Sequence, residues 1–216
     1  MASMLTSKWT KAGVFLASLG PLGYLVWKGF RAELTANPIE YITHELGDWT
    51  LIFLILTLCV TPARRLLRQP ALIRFRRMLG LFAFFYACLH FSIFFVFDHF
   101  FDVAAMLDDV AERKYITVGF LGFVLLIPLA VTSTAGWIRR LGGRRWQRLH
   151  QAIYITAIAG VVHFFWLVKS DITRPTRYAV AVGLLLAYRV VMWFAERQMR
   201  PQPARSAGKL SPTGGS

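Results

Sequence analysis

The sequence predicts an all-α protein, a six-span transmembrane helical bundle. Three observations carry that prediction. Apolar residues make up 56% of the 216, and mean hydropathy is +0.49, too high for a soluble domain. They are gathered into six long runs almost free of charge, too long and too apolar for strands. The charges between the runs are sorted by sign. The formal charge is +14, from 25 Lys+Arg against 11 Asp+Glu. In a soluble protein that excess would point to nucleic acid. Here the basic residues sit in short loops, where they set topology and meet anionic lipid, and no nucleic-acid partner is expected.

Residues 1–11 form a short, basic N-terminus. Residues 12–27 are uncharged, and no small-residue cleavage site follows them, so they are expected to stay as the first span rather than leave as a signal peptide. Gly20-Pro21 predicts a kink there. Residues 28–48 are a loop with four acids and His44. The second run, 49–63, is the shortest and needs residues 46–48 at the interface to cross. Residues 64–77 hold six arginines and no acid. The third span, 78–97, is rich in phenylalanine and has His90 as its one strongly polar group. An acidic loop with His99 follows, 98–114, and then a long uncharged fourth span, 115–138. Residues 139–148 hold five arginines, with Gly142-Gly143 marking a tight turn. The fifth span, 148–169, reads RLHQAIYITAIAGVVHFFWLVK. Pro175 is placed to start the last helix, whose run 178–195 is interrupted by Arg189. The membrane domain thus covers 12–196. Residues 197–216, rich in Pro, Gly and Ser, predict a disordered tail.

Six spans put both termini on one side, together with the two arginine-rich loops. Ten of the eleven acids fall on the other side, Glu196 being the exception. The positive-inside rule then places both termini in the cytoplasm. Cys59 and Cys88 lie inside apolar runs and read as small hydrophobes, and with no CxxCH a covalent c-type haem is excluded.

Histidine is costly in hydrocarbon without a partner, so the buried imidazoles are the candidate site. His90 lies thirteen residues outward from Arg77, about 20 Å, and His163 fifteen residues outward from Arg148, about 22 Å. Two imidazoles at one depth on two outward-running helices predict a bis-histidine haem site, with His90 and His163 as iron ligands. Two axial ligands leave iron no open position, which favours electron transfer over oxygen chemistry. His150 sits near the cytoplasmic surface, and its counterpart in depth on span three is Arg77, which cannot ligate iron. Either there is one haem, or a second has an unusual ligand set that includes His150; His150 is also placed to contact a propionate, a flavin or a quinone. On an ideal helix His150 and His163 point some 140° apart, so both face one axis only if the helix bends. His99, half a turn out of phase with His90 on a straight helix, and His44 both read as solvated loop residues. Arg77 and Arg189 are carried as candidate cofactor contacts. Arg189 is expected to snorkel to the cytoplasmic headgroups, with pairing to a propionate as its second reading.

Six spans, a histidine in span three and a histidine pair thirteen apart in span five resemble the ferric reductase-like transmembrane domain. More closely, RFRRMLGLFAFFYACLH, LGGRRWQRLHQAIYITAIAGVVHFFWLVKSD and RPTRYAVAVGLLLAYR resemble the bacterial haem-binding membrane subunit of the periplasmic methionine sulfoxide reductase system. That resemblance implies a b-type cytochrome of the inner membrane, with FMN as a further cofactor. It implies electrons taken from the quinone pool or a cytosolic flavin reductase. They would pass to a periplasmic molybdopterin subunit, a heterodimer partner that reduces methionine sulfoxide in oxidised proteins. The family's histidines match His90, His150 and His163. Against the oxidase members of the wider group, span three lacks a further histidine and no FAD/NADPH domain follows residue 195. Catalysis is therefore expected on a partner. A stand-alone ferric or cupric reductase is the alternative, and a transporter or scaffold without cofactor a third reading.

Overall fold

The computed structural model describes residues 7–198. Among them are nine α-helices and no strand. In chain order these are α1 (Lys8–Phe30), α2 (Pro38–Leu66), α3 (Ile73–Ile93), α4 (Val103–Glu112), α5 (Lys114–Val131), α6 (Ala135–Leu141), α7 (Gly143–His150), α8 (Ala152–Leu167) and α9 (Thr173–Gln198). A 3-10 turn (Pro70–Leu72) leads into α3, and a π-helical turn (Phe94–Asp98) ends it. The expected tail falls outside the described residues, apart from its first two, which finish α9.

Among the described residues five helical stretches are long and apolar enough to cross a membrane: Pro38–Leu66, Pro70–Asp98, Lys114–Val131, Gly143–Leu167 and Thr173–Gln198. By length and composition that makes five of the expected six. The missing one is α1, whose 23 residues suffice in length. Its composition is the obstacle: Gly13, Gly20, Gly23, Gly29, Ser18, Pro21 and Lys28 dilute the apolar run.

The helices also outgrow the apolar runs. Much of the loop expected at 28–48 is the first turns of α2, which Asn37 caps by accepting the Glu40 N–H and Pro38 opens. The acidic loop contains α4, capped by Asp102. The fourth span stops at Val131, earlier than expected, and α6 turns away after it. Gly142, at φ +73°, closes α6 and admits α7. The fifth span is broken at Gln151 into α7 and α8.

Packing is antiparallel between α2 and α3, where Phe53 stacks on Phe82 and Tyr86. It is antiparallel again between α5 and α8, where Gly122 lets the backbones approach to Cβ-contact distance of Ala159. Tyr86 is fully buried and its hydroxyl enters the hydrogen-bond ladder of α1, accepting from the Leu22 N–H and donating to the Ser18 carbonyl. Phe15 meets Phe82 lower on the same face. These contacts make α1 run alongside α3 in the same direction.

Candidate functional site

The structure brings His90 of α3 and His163 of α8 together. Their ring centroids are 6.2 Å apart and their planes nearly perpendicular, at 82°. Each ring is held from behind by a backbone carbonyl. His90 Nδ1 lies 2.9 Å from the Thr43 oxygen of α2, and His163 Nδ1 lies 2.6 Å from the Tyr115 oxygen of α5. A carbonyl only accepts, so each Nδ1 carries the proton and each Nε2 keeps its lone pair. This is the outer-shell arrangement that fixes ring orientation in metal-ligating histidines.

Glycines make room for both rings. A Cβ at Gly119 would stand 2.6 Å from His163 Nδ1, and one at Gly47 would stand 3.2 Å from His90 Cε1. Sequence reasoning passed over both. The spacing of Gly119 and Gly122 in an apolar span was the available signal, since small residues in membrane helices mark close approach.

The pair lines a cavity of about 840 Å³. Its floor is formed by Leu54, Leu126 and Thr156. Each lies seven residues, about 10 Å, inward of the histidine level on its own helix. Phe91, Phe123 and Phe164 add apolar wall, while Glu40, His44, Asp98 and Arg113 stand toward the outer end. Thr156 Oγ1 is buried there without a partner among the described residues. Arg113 donates to Asp109 Oδ1 at 3.1 Å, and the Tyr115 hydroxyl, then that carboxylate, hold its guanidinium above its ordinary pKa.

Haem fits these residues. A metal ion about 2 Å from one nitrogen of each ring separates two coaxial imidazole centroids by about 6 Å once the ring radii are added, matching the 6.2 Å found. Among the described residues no three His, Cys, Asp or Glu side chains converge on one point; two imidazoles are the donor set of a metal already held in a macrocycle. FMN does not fit in the same way. The described residues contain no strand and so offer no strand–glycine loop–helix turn to cradle its phosphate.

The other sequence candidates are placed elsewhere. His150 Nε2 is 3.1 Å from Thr132 Oγ1, and that hydroxyl donates to the Pro128 carbonyl, so His150 is the donor between them. Its ring stacks on Trp146 at 4.0 Å, and Trp146 itself donates to the Thr132 carbonyl. The helix breaks at Gln151, one residue past His150, and His150 lines no part of the cavity that holds His163. Arg77 is exposed on α3 and lines no part of the cavity.

Arg189 does not snorkel to the headgroups. It turns into the bundle and donates to the Leu58 carbonyl and the Tyr154 hydroxyl, both at 2.9 Å. The reason lies four residues past Leu58: Pro62 has no N–H, so the Leu58 carbonyl loses its helical donor, and Arg189 replaces it. His99 is a second correction. Its side chain is only 7% exposed and spans from the Phe94 carbonyl to Asp109 Oδ2, 3.3 Å away. The π-helical turn rotates it from the phase a straight helix would give. His44 is exposed, at the cavity's outer end.

The ferric reductase like transmembrane component family matches residues 46–161, which hold every wall of the cavity except the first turns of α2 and the His163 end of α8. A relative in Herminiimonas arsenicoxydans is 53% identical over 87% of both chains, and carries the name protein-methionine-sulfoxide reductase heme-binding subunit MsrQ. The chain belongs to the MsrQ family. Two further members with that name agree. The one from Caulobacter vibrioides is 45% identical over 92% of this chain and 90% of its own. The one from Rhodospirillum rubrum is 48% identical over 90% and 93%. No solved structure matches. The family assignment supports an all-α, multi-pass membrane protein within an oxidoreductase system.

Proposed function

We propose that the chain is the electron-transfer subunit of a periplasmic methionine sulfoxide reductase. In this reading it is a b-type cytochrome of the inner membrane in which His90 and His163 would hold the iron of one haem. The observation that carries it is the pair itself: two imidazoles 6.2 Å apart, each with Nδ1–H spent on a carbonyl and Nε2 uncommitted. The relatives' shared name supports haem and methionine sulfoxide as cofactor and system, and no observation favours the stand-alone ferric or cupric reductase. Haem, when bound, supplies a one-electron couple. The chain's own residues fix the ligand rings through the Thr43 and Tyr115 carbonyls and line the floor with Leu54, Leu126 and Thr156. They leave the polar end of the cavity toward the outer side.

Electrons enter from the quinone pool or a cytosolic flavin reductase and leave to a periplasmic molybdopterin subunit that reduces methionine sulfoxide. The arginine-rich loops support a cytoplasmic position for both termini, a reading that requires α1 to cross as a sixth span. Its course beside α3, and the Lys28 donation to the Tyr41 hydroxyl near the outer start of α2, support that crossing. The test is the purified chain. A b-type reduced-minus-oxidised spectrum with about one haem per chain is expected, reoxidised by the periplasmic subunit plus methionine sulfoxide. A colourless folded preparation would overturn the reading.

A further inference from the structure

Between the π-helical turn and α4 the chain makes a costly bend. Phe100 and Phe101 lie consecutively at φ +48° and +67°, a region that bulky side chains rarely enter. Both rings are pushed outward, 80% and 65% exposed. The bend is braced from several directions. The Phe101 N–H donates to the Phe95 carbonyl and the Asp102 N–H to the His99 carbonyl. Asp102 caps α4 through Ala105, and the buried His99 ties the bend to Asp109. Strain that is both stored and braced marks a segment whose shape is used.

The surroundings say what uses it. Asp98, Asp102, Asp108 and Glu112 are all exposed along this stretch. α4 itself contains no lysine or arginine, whereas helices that lie on anionic lipid carry basic polar faces. The segment also adjoins the cavity. Phe101 meets Phe95 edge-on at 5.5 Å, Phe95 stacks on Phe91, and Phe91 lines the cavity beside His90. An apolar centre with an acidic rim is the anatomy of a protein interface.

We propose that the Phe100–Phe101 bend is the docking point for a soluble redox protein on the outer side, one presenting an apolar depression ringed by lysine and arginine. This deepens the function proposed above and rests on it. A partner seated here would lie a few side chains from the histidine pair, and opposite charge would speed its arrival.

The experiment uses holoprotein in nanodiscs, reduced and mixed with the purified periplasmic reductase subunit and methionine sulfoxide, following haem reoxidation. F100S/F101S should slow reoxidation at limiting partner at least tenfold and leave the haem spectrum unchanged. D108K/E112K should slow it too, and should flatten its salt dependence. If both variants match the wild type, the docking proposal falls while the electron-transfer reading stands. If the wild type itself is not reoxidised, both fall together. A bimane label on F101C, in a background with Cys59 and Cys88 replaced by alanine, separates protein from lipid. A spectral shift on adding the reductase subunit supports docking. Quenching by brominated lipid alone shows a membrane anchor instead and overturns it.

Discussion

The outer and inner halves of the bundle hold the same kinds of polar side chain and use them differently. In the outer half His90 and His163 each give one nitrogen to a carbonyl and leave the other open to the cavity. In the inner half His150 spends its Nε2 on Thr132 and its face on Trp146, and Arg189 serves the carbonyl that Pro62 orphans. On the function proposed above, what separates a haem site from a strut is the uncommitted donor atom beside open volume, not burial or residue type. The sharpest way to break that contrast is to delete each imidazole. His90→Ala or His163→Ala should abolish the b-type reduced-minus-oxidised spectrum of the purified protein. His150→Ala should keep it, with thermal stability lowered by about 1 kcal/mol for the lost hydrogen bond. A lost spectrum in His150→Ala would move the inner half into the cofactor machinery.

The next largest effect is expected without touching a ligand. Gly119→Ala places a methyl 2.6 Å from His163 Nδ1, so the ring must leave its carbonyl or the helices must part. Overpacking of this kind costs about 1–3 kcal/mol, enough to cut haem retention about 5- to 160-fold. Gly136→Ala on the inner side, where the nearest atom to an added Cβ is 3.9 Å away, should leave haem content as it is. Titration of the apoprotein with haem measures both.

How far this contrast was legible beforehand depends on what the sequence can encode. The depth match of His90 and His163 was readable because arginines mark the inner surface and helical rise is constant. The carbonyls of Thr43 and Tyr115 were not, since any residue could have supplied them. Arg189 was read by the usual habit of arginine in a membrane span; its actual partner was set by Pro62, 127 positions away, and no local pattern links the two. His99 was misread because its phase was counted on a straight helix, which the π-helical turn interrupts. The helical, multi-span character was plain from composition, whereas α1 sits where glycine content and length pull the count in opposite directions.

A third prediction tests the strut directly. Arg189→Met should destabilise the fold by about 1–3 kcal/mol, because the Leu58 carbonyl is left buried and unpaired. Pro62→Ala restores an N–H to that carbonyl, so the double variant should recover much of the loss, while neither change shifts the haem spectrum. Equal loss in the single and double variants, by thermal unfolding in detergent, would mean that Arg189 acts through Tyr154 alone.

The smallest effect separates ion pairs by their surroundings. Arg65 and Glu196 meet at 2.6 Å on the inner side with side chains 35% and 55% exposed, whereas Asp48, 12% exposed, meets Arg174 at 3.4 Å beside the cavity. A short distance suggests that the first pair is the stronger, but water and salt screen it, and ordering two long side chains costs entropy. Glu196→Gln should therefore cost only about 0.2–1 kcal/mol and lose even that in high salt. Asp48→Asn removes the buried partner, but Arg174 is 61% exposed and keeps its water, so its cost should also be small, with a weaker salt dependence because Asp48 itself is 12% exposed. Unfolding midpoints of the two variants at low and high ionic strength compare the two salt dependences. If Glu196→Gln proves far more damaging than this, the inner face is held by its surface charges rather than by the buried contacts of Arg189 and His150.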